Sequence, residues 1–165
     1  MFCIIKIRSA VGDAERIRMM KDGLGDSFEK SCGAIVYTIE NGGIKYLLVE
    51  EVSGSHSFPK GHMENGETER ETALREIKEE TDLVVSLIGD FRMSEQYQPS
   101  EKPGVTKQVV YFLAEYSGES PHVVRPNEVR SLKSLCLEDA LGVIEHENRK
   151  EILRKADEYI KDTLM

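Results

Sequence analysis

"GHMENGETERETALREIKEETDL", residues 61–83, opens as a loop and closes as a helix. With the preceding "GSHSFPK", the loop half is rich in Gly, Pro, Asn and Ser, a turn-forming composition. From Thr68 the residues become helix formers, "TERETALREIKEE", with Ala73, Leu74 and Ile77 on one arc. At about 100° per residue, Glu76, Glu79 and Glu80 share an adjacent arc about 100° wide. One side of this helix packs and the neighbouring side is anionic. Two carboxylates about 6 Å apart repel by roughly 3 kcal/mol at an effective dielectric of about 20, so a cluster costs stability unless it is well solvated or binds a cation. Taken alone, a solvated face explains the pattern better, because helix faces rich in Glu and Lys are common.

Outward from this stretch the chain reads as strands and helices around one core. The apolar runs "CGAIVYTI" (32–39) and "IKYLLVEE" (44–51) flank Asn41-Gly42-Gly43 and predict a β-hairpin. Beyond the helix, "LVVSLIGDF", "FRMSEQY" and, past the polar loop "SEKPGVT", "KQVVYFLAEY" are strand-like. The last third, "LCLEDALGVI" and "ENRKEILRKADEYIKDTL", is helical, and Ile152, Leu153, Ala156, Tyr159 and Ile160 form one apolar face to lay on a sheet. The first part, strand-like "FCIIKI" and helix-like "DAERIRMMKDG", is an add-on. A length of 165 residues suits a single domain, with residues 1–29 as an amino-terminal extension and 30–165 as the core.

A content of 39 % hydrophobic and 32 % charged residues is that of a soluble globular protein. No apolar run approaches membrane-spanning length, and "MFCIIKIR" is too short and wrongly ordered in charge for a signal peptide, so the default expectation is a cytoplasmic protein without a membrane partner. Cys3, Cys32 and Cys136 have the spacing of neither a disulfide framework nor a zinc site, which leaves idle thiols in a reducing compartment. The net charge of −8 disfavours a nucleic-acid partner. A polyphosphate ligand would need metal ions or a local basic pocket.

The arrangement Gly61, five residues, Glu67, seven residues, Arg75-Glu76-Ile77-Lys78-Glu79-Glu80, Thr81, Asp82, Leu83 resembles the Nudix box at every defined position except Asp82, where that family usually has glycine. Asp82 falls at the helix exit, where a left-handed residue is expected, and Asp tolerates that conformation better than most. The resemblance implies an α/β fold, the Nudix α/β/α sandwich with a mixed, curved sheet and a loop-helix-loop catalytic motif. It implies Mg²⁺, with Mn²⁺ as a substitute, held by Glu76, Glu79, Glu80 and the Lys60 backbone carbonyl. It makes Gly61 and a Glu67–Arg75 ion pair the structural support of the box. The implied chemistry is attack of a metal-activated water on phosphorus in a phosphoanhydride, with Glu79 or Glu128 as the proton acceptor.

"SCGAIVY", "KYLLVEE", "FPKGHMENGETERETALREIKEET", "VVYFLAEY" and "LEDAL", in that order over roughly residues 30–142, are similar to the asymmetrical diadenosine tetraphosphate hydrolases. That likeness implies Mg²⁺-dependent cleavage of a small nucleotide polyphosphate, diadenosine tetraphosphate, into ATP and AMP; for the assembly, the sequence leaves both a monomer and a homodimer open. It gives Tyr97 the role of stacking on adenine and Lys107, Lys60 and His62 places beside the phosphates. It sets Glu128 near the metals. Against these stand an ordinary strand-edge tyrosine, an idle loop carboxylate and an ordinary loop histidine. His56 stands where such enzymes commonly carry tryptophan, and the chain has no Trp. Other readings are a Nudix pyrophosphohydrolase for ADP-ribose, a nucleoside triphosphate, a nucleotide sugar, a diphosphoinositol phosphate or a 5′-triphosphorylated RNA end, and a Nudix-fold sensor without turnover. The complete set of Glu76, Glu79 and Glu80 argues against the sensor.

Overall fold

In the computed structural model, which describes residues 27–165, the two apolar runs form β1 (Ser27–Glu40) and β2 (Gly43–Glu51). Glu40 pairs with Gly43 across a two-residue turn in which Asn41 (φ 50°) and Gly42 (φ 79°) are both left-handed. Asn and Gly enter that region at low cost, and the twist of such a turn matches the twist of the strands. β3 (His56–Ser57) and β4 (Lys60–His62) lie in the following loop, before helix α1 (Glu69–Thr81). After it come β5 (Ser86–Leu87), β6 (Met93–Tyr97), β7 (Val105–Glu115), β8 (Val129–Leu135), α2 (Leu137–Val143) and α3 (Glu147–Thr163).

The strands make one mixed sheet ordered β3-β2-β1-β7-β5, with β4 on β1, β6 on β7 and β8 on β2. β1 runs parallel to β7 from Ser27↔Val105 to Tyr37↔Glu115. Its other edge is shared: β2 pairs antiparallel with its second half and β4 with Ser31, Cys32 and Gly33. Gly33 is required there, because a Cβ would lie 2.0 Å from the Pro59 carbonyl oxygen. This absence of a side chain lets β4, the rim of the site, lie directly against the central strand.

Side chains alternate across the sheet and bury both faces. Cys32, Ala34, Val36, Val110, Phe112 and Ala114 face α1 through Ala73 and Ile77. Ile35, Tyr37, Val109, Tyr111 and Leu113 face the opposite way, onto Ile144, Ile152, Leu153, Ala156 and Ile160. Each fully buried Ile, Leu or Phe contributes about 1.5–3 kcal/mol, so the two layers together hold the helices on the sheet. The result is the implied helix–sheet–helix sandwich. Polar ties reinforce it: the Tyr46 hydroxyl donates to Asp157 Oδ1 at 2.6 Å, and Arg149 Nε donates to Glu95 Oε1 at 2.9 Å, both buried.

Two details differ from the sequence expectations. "LVVSLIGDF" supplies only the two-residue β5, because Gly89 (φ 60°) turns the chain and the Asp90 N–H donates to the Tyr159 hydroxyl at 3.2 Å. β8 has no counterpart among the expected strands, since Arg130, Ser131, Lys133 and Ser134 hide its pattern. The strand- and helix-like segments before residue 27, and Cys3, lie outside the described residues. Among the described residues, no helix is long and apolar enough to cross a membrane. Cys32 and Cys136 are free thiols, and burial pushes Cys32 up to about 12.

Candidate active site

The helix that carries the glutamates starts and stops at defined points. At its start, Thr68 Oγ1 accepts from the Glu71 N–H (3.2 Å) while the Glu71 carboxylate accepts from the Thr68 N–H (2.8 Å). Such a capping box satisfies two otherwise unpaired donors at a helix end. At its exit Asp82 takes φ 63°, ψ 4°, with its N–H donating to the Lys78 carbonyl at 3.0 Å. Lys78 Nζ donates back to the Asp82 carbonyl at 2.9 Å and pairs with its carboxylate. Aspartate thus takes the left-handed conformation expected at this helix exit.

Arg75 is clamped on the loop. Its Nε and Nη2 donate to Glu67 Oε1 (2.6 Å) and Oε2 (2.9 Å), and Nη2 also reaches the His62 carbonyl (3.0 Å). Glu67 accepts further bonds from Thr72 Oγ1 and the Glu64 N–H, at 2.8 and 3.1 Å. The Arg75 guanidinium, then the Thr72 hydroxyl, hold the Glu67 carboxyl down at about 2. From this clamp Arg75 Nη1 touches Glu76 Oε1 at 2.6 Å and Glu79 Oε2 at 3.2 Å. Gly61 is bare for a steric reason, as a Cβ there would lie 2.1 Å from Glu76 Cδ.

Glu76 and Glu80 are buried, with relative exposures of 4 % and 8 %, while Glu79 is half-buried. Glu80 Oε2 accepts from the Lys60 N–H at 3.1 Å. Burial, which the Lys60 charge and its amide bond do not offset, pushes the Glu80 carboxyl up to about 7. A second guanidinium closes the far side: Arg125 Nη1 lies 3.3 Å from Glu76 Oε2, Nη2 contacts Glu79 Oε2, and Glu128 Oε2 is 3.8 Å from Nη1.

Arg75 and Arg125 border a cleft of about 550 Å³ whose wall includes Lys60, His62, Glu76, Glu80, Lys107 and Glu128 but not Glu79. Ser31 also lines it, and its hydroxyl is buried without a hydrogen-bond partner among the described residues. Lys107 is half-buried, and burial lowers its pKa. His62 is exposed, with Nε2 3.4 Å from Glu29 Oε2. Tyr97 is the cross-strand partner of Lys107, but it is partly buried against the core and is not among the cleft's lining residues. Burial raises its hydroxyl pKa. His56, in place of a tryptophan, accepts from Lys133 Nζ at 3.0 Å.

Besides Ser31, two residues of the cleft wall that the argument uses were not singled out from the sequence. Glu51 lines the cleft and accepts from Ser57 Oγ (3.1 Å) and Lys60 Nζ (3.4 Å). Arg125 is the sole Lys or Arg of the 116–128 loop, three residues before Glu128, and that isolated position was its only signal.

Among the described residues no three His, Cys, Asp or Glu side chains form a ready-made ion cage. Guanidinium groups hold Glu76 and Glu79 instead. The donor set still fits a hard divalent cation, because its carboxylates and the Lys60 carbonyl offer oxygen only. Such a cation, Mg²⁺ above all, keeps several waters and takes other ligands from phosphate rather than filling an all-protein cage.

Residues 30–156 match a profile described as the NUDIX domain. The asymmetrical bis(5′-nucleosyl)-tetraphosphatase of Mus musculus is 31 % identical over 145 residues, spanning 81 % of this chain and 97 % of the murine one. The Caenorhabditis elegans protein of the same description is 29 % identical over 136 residues, spanning 79 % and 96 %. A crystal structure of a C. elegans Ap4A hydrolase binary complex superposes with a TM-score of 0.75 at 26 % identity, covering 81 % of this chain and 98 % of its own.

Proposed function

Because the chain belongs to the Nudix family, whose hydrolases generally use divalent metals, we propose that it is a Mg²⁺-dependent hydrolase of dinucleoside polyphosphates that splits diadenosine tetraphosphate into ATP and AMP. The observation that carries this reading is the cleft itself, in which the carboxylates of one helix face Lys60, Lys107 and Arg125. An acidic chain with a local set of cations is what a polyphosphate bound through metal requires. The unpartnered Ser31 hydroxyl on the same wall supplies a hydrogen bond for a ligand oxygen.

Glu76, Glu79 and Glu80 with the Lys60 carbonyl are the groups that would hold the cation, Mn²⁺ replacing Mg²⁺. When bound, it lowers the pKa of water and neutralises phosphate charge. The chain's own side chains do the remaining work. Lys107, Lys60 and His62 bind phosphate oxygens and fix the polyphosphate along the cleft. Tyr97, next to Lys107 across the β6–β7 ladder, stacks on an adenine, a contact worth about 1–3 kcal/mol. Glu79 or Glu128 accepts the proton from the attacking water; Glu128 is 65 % exposed and unencumbered apart from Arg125 at 3.8 Å.

The test is a Mg²⁺-dependent incubation with diadenosine tetraphosphate, ADP-ribose, nucleoside triphosphates and a triphosphorylated RNA, with chromatography of the products. ATP plus AMP from the first substrate, at a kcat/KM well above the others, is expected. A preference for any other member would remove the substrate assignment, and binding of all members without turnover would remove hydrolysis itself.

A further inference from the structure

Among the described residues, the Arg125 side chain reaches groups that the proposed reaction needs for something else. Its guanidinium spans Glu76 and Glu79, with Glu128 just beyond, and it is 35 % exposed at the edge of the cleft. Arg75 touches the same two carboxylates but is fastened to Glu67 and the His62 carbonyl by three bonds, so it has nowhere to go. Among the described residues, the side-chain partners of Arg125 are all carboxylates.

Its main chain is fixed independently. The Arg125 carbonyl accepts from the N–H groups of Glu128 (3.0 Å) and Val129 (2.8 Å), and the Glu128 carbonyl accepts from the Val52 N–H at 3.0 Å. The loop is therefore pinned to β2 and β8 through backbone atoms, and the side chain can turn about this anchor without unseating it. Arg75 engages Glu76 Oε1, whereas Arg125 covers Glu76 Oε2, the oxygen of that carboxylate left for a divalent cation, and two positive groups at one oxygen repel. Lys60 and Lys107 lie along the same cleft wall, where the phosphates of the proposed substrate bring compensating negative charge.

We propose that Arg125 is an exchangeable counter-cation: it holds Glu76 and Glu79 in the nucleotide-free protein, yields them to a divalent cation, and turns into the cleft to bind a phosphate oxygen of the substrate. This rests on the reading of the cleft as a polyphosphate hydrolase site. Arg125 is then a substrate-binding residue whose exchange makes metal and nucleotide binding mutually reinforcing, because each removes a cost that the other would meet. Arginine suits both partners, as its planar fork pairs bidentately with carboxylate and with phosphate.

The experiment compares the full chain with Arg125→Gln and Arg125→Lys by Mn²⁺ titration, followed by electron paramagnetic resonance, and by calorimetry with a methylene-bridged diadenosine tetraphosphate analogue at saturating Mn²⁺. Arg125→Gln is expected to bind Mn²⁺ about tenfold more tightly without nucleotide and the analogue about tenfold more weakly with metal present. Arg125→Lys, which keeps the charge but cannot bridge two carboxylates, should also bind Mn²⁺ more tightly while retaining most of the analogue affinity. Equal or weaker Mn²⁺ binding by Arg125→Gln, or unchanged analogue affinity, would overturn the exchange. Should the wild-type chain hydrolyse diadenosine tetraphosphate while the Mn²⁺ affinities coincide, the exchange alone fails. Mn²⁺ affinities ordered as expected in a chain that hydrolyses no member of the substrate panel would instead remove the proposed function.

Discussion

Replacing Glu80 with Gln should stabilise the metal-free protein, although it removes a residue at the centre of the site. Glu80 is 8 % exposed, and its carboxyl has one hydrogen bond, from the Lys60 N–H, with Glu76 and Glu51 among its neighbours. Burial raises it from the ordinary 4.5 to about 7. At 1.36 kcal/mol per pH unit, the ionised form costs the folded state about 3 kcal/mol. A carboxyl whose folded pKa is raised binds its proton more tightly when folded. The penalty is therefore absent below pH 4.5, grows between 4.5 and about 7, and is complete above 7. Gln keeps an acceptor for the Lys60 N–H and carries no charge. In chelator at pH 8, Glu80→Gln should melt about 6–12 °C above the wild type, on the scale of about 2–4 °C per kcal/mol for a chain of this size. The gap should close as the pH falls toward 5. Added Mg²⁺ should then raise the wild type more than the variant, by binding the folded state. Thermal unfolding by circular dichroism across this pH range checks both. A variant less stable than the wild type at pH 8 without metal, or a gap independent of pH, would refute the claim that this glutamate is held against its own electrostatic cost.

Glu79→Gln is expected to lower turnover by at least ~10²-fold with the fold intact, the usual scale for loss of a general-base or metal-binding carboxylate; near-normal kinetics would remove Glu79 from the site. Gly61→Ala, whose Cβ would stand 2.1 Å from Glu76 Cδ, should cost about 1–3 kcal/mol of stability and most of the activity, as measured by denaturant unfolding and steady-state rates. Tyr97→Ala should raise KM for adenine dinucleotides more than it lowers kcat, and an equal loss with an inorganic polyphosphate would exclude stacking.

The parts of this molecule that were legible in the sequence are those whose contacts are local or periodic. The hairpin follows from Asn41-Gly42 between two apolar runs, and α3 follows from Ile152, Leu153, Ala156 and Ile160 at helical spacing. Glu67 and Arg75 are eight residues apart, and Lys60 and Glu80 twenty, so the loop-helix-loop is specified within its own stretch. β8 was hidden because it pairs with β2 through its backbone while most of its side chains are polar. Arg125 was hidden because it meets Glu79 across 46 residues of chain, an approach that depends on how β7 and β8 frame the intervening loop. The same division separates reaction from substrate. The carboxylates that would hold the cation come from one helix, whereas Lys107 and Arg125 come from a strand and a loop on other edges of the cleft. A motif can therefore disclose the family while leaving the nucleotide's wall unspecified, and it is on that wall, at Ser31, Lys107 and Arg125, that substrate choice in this chain has to be sought.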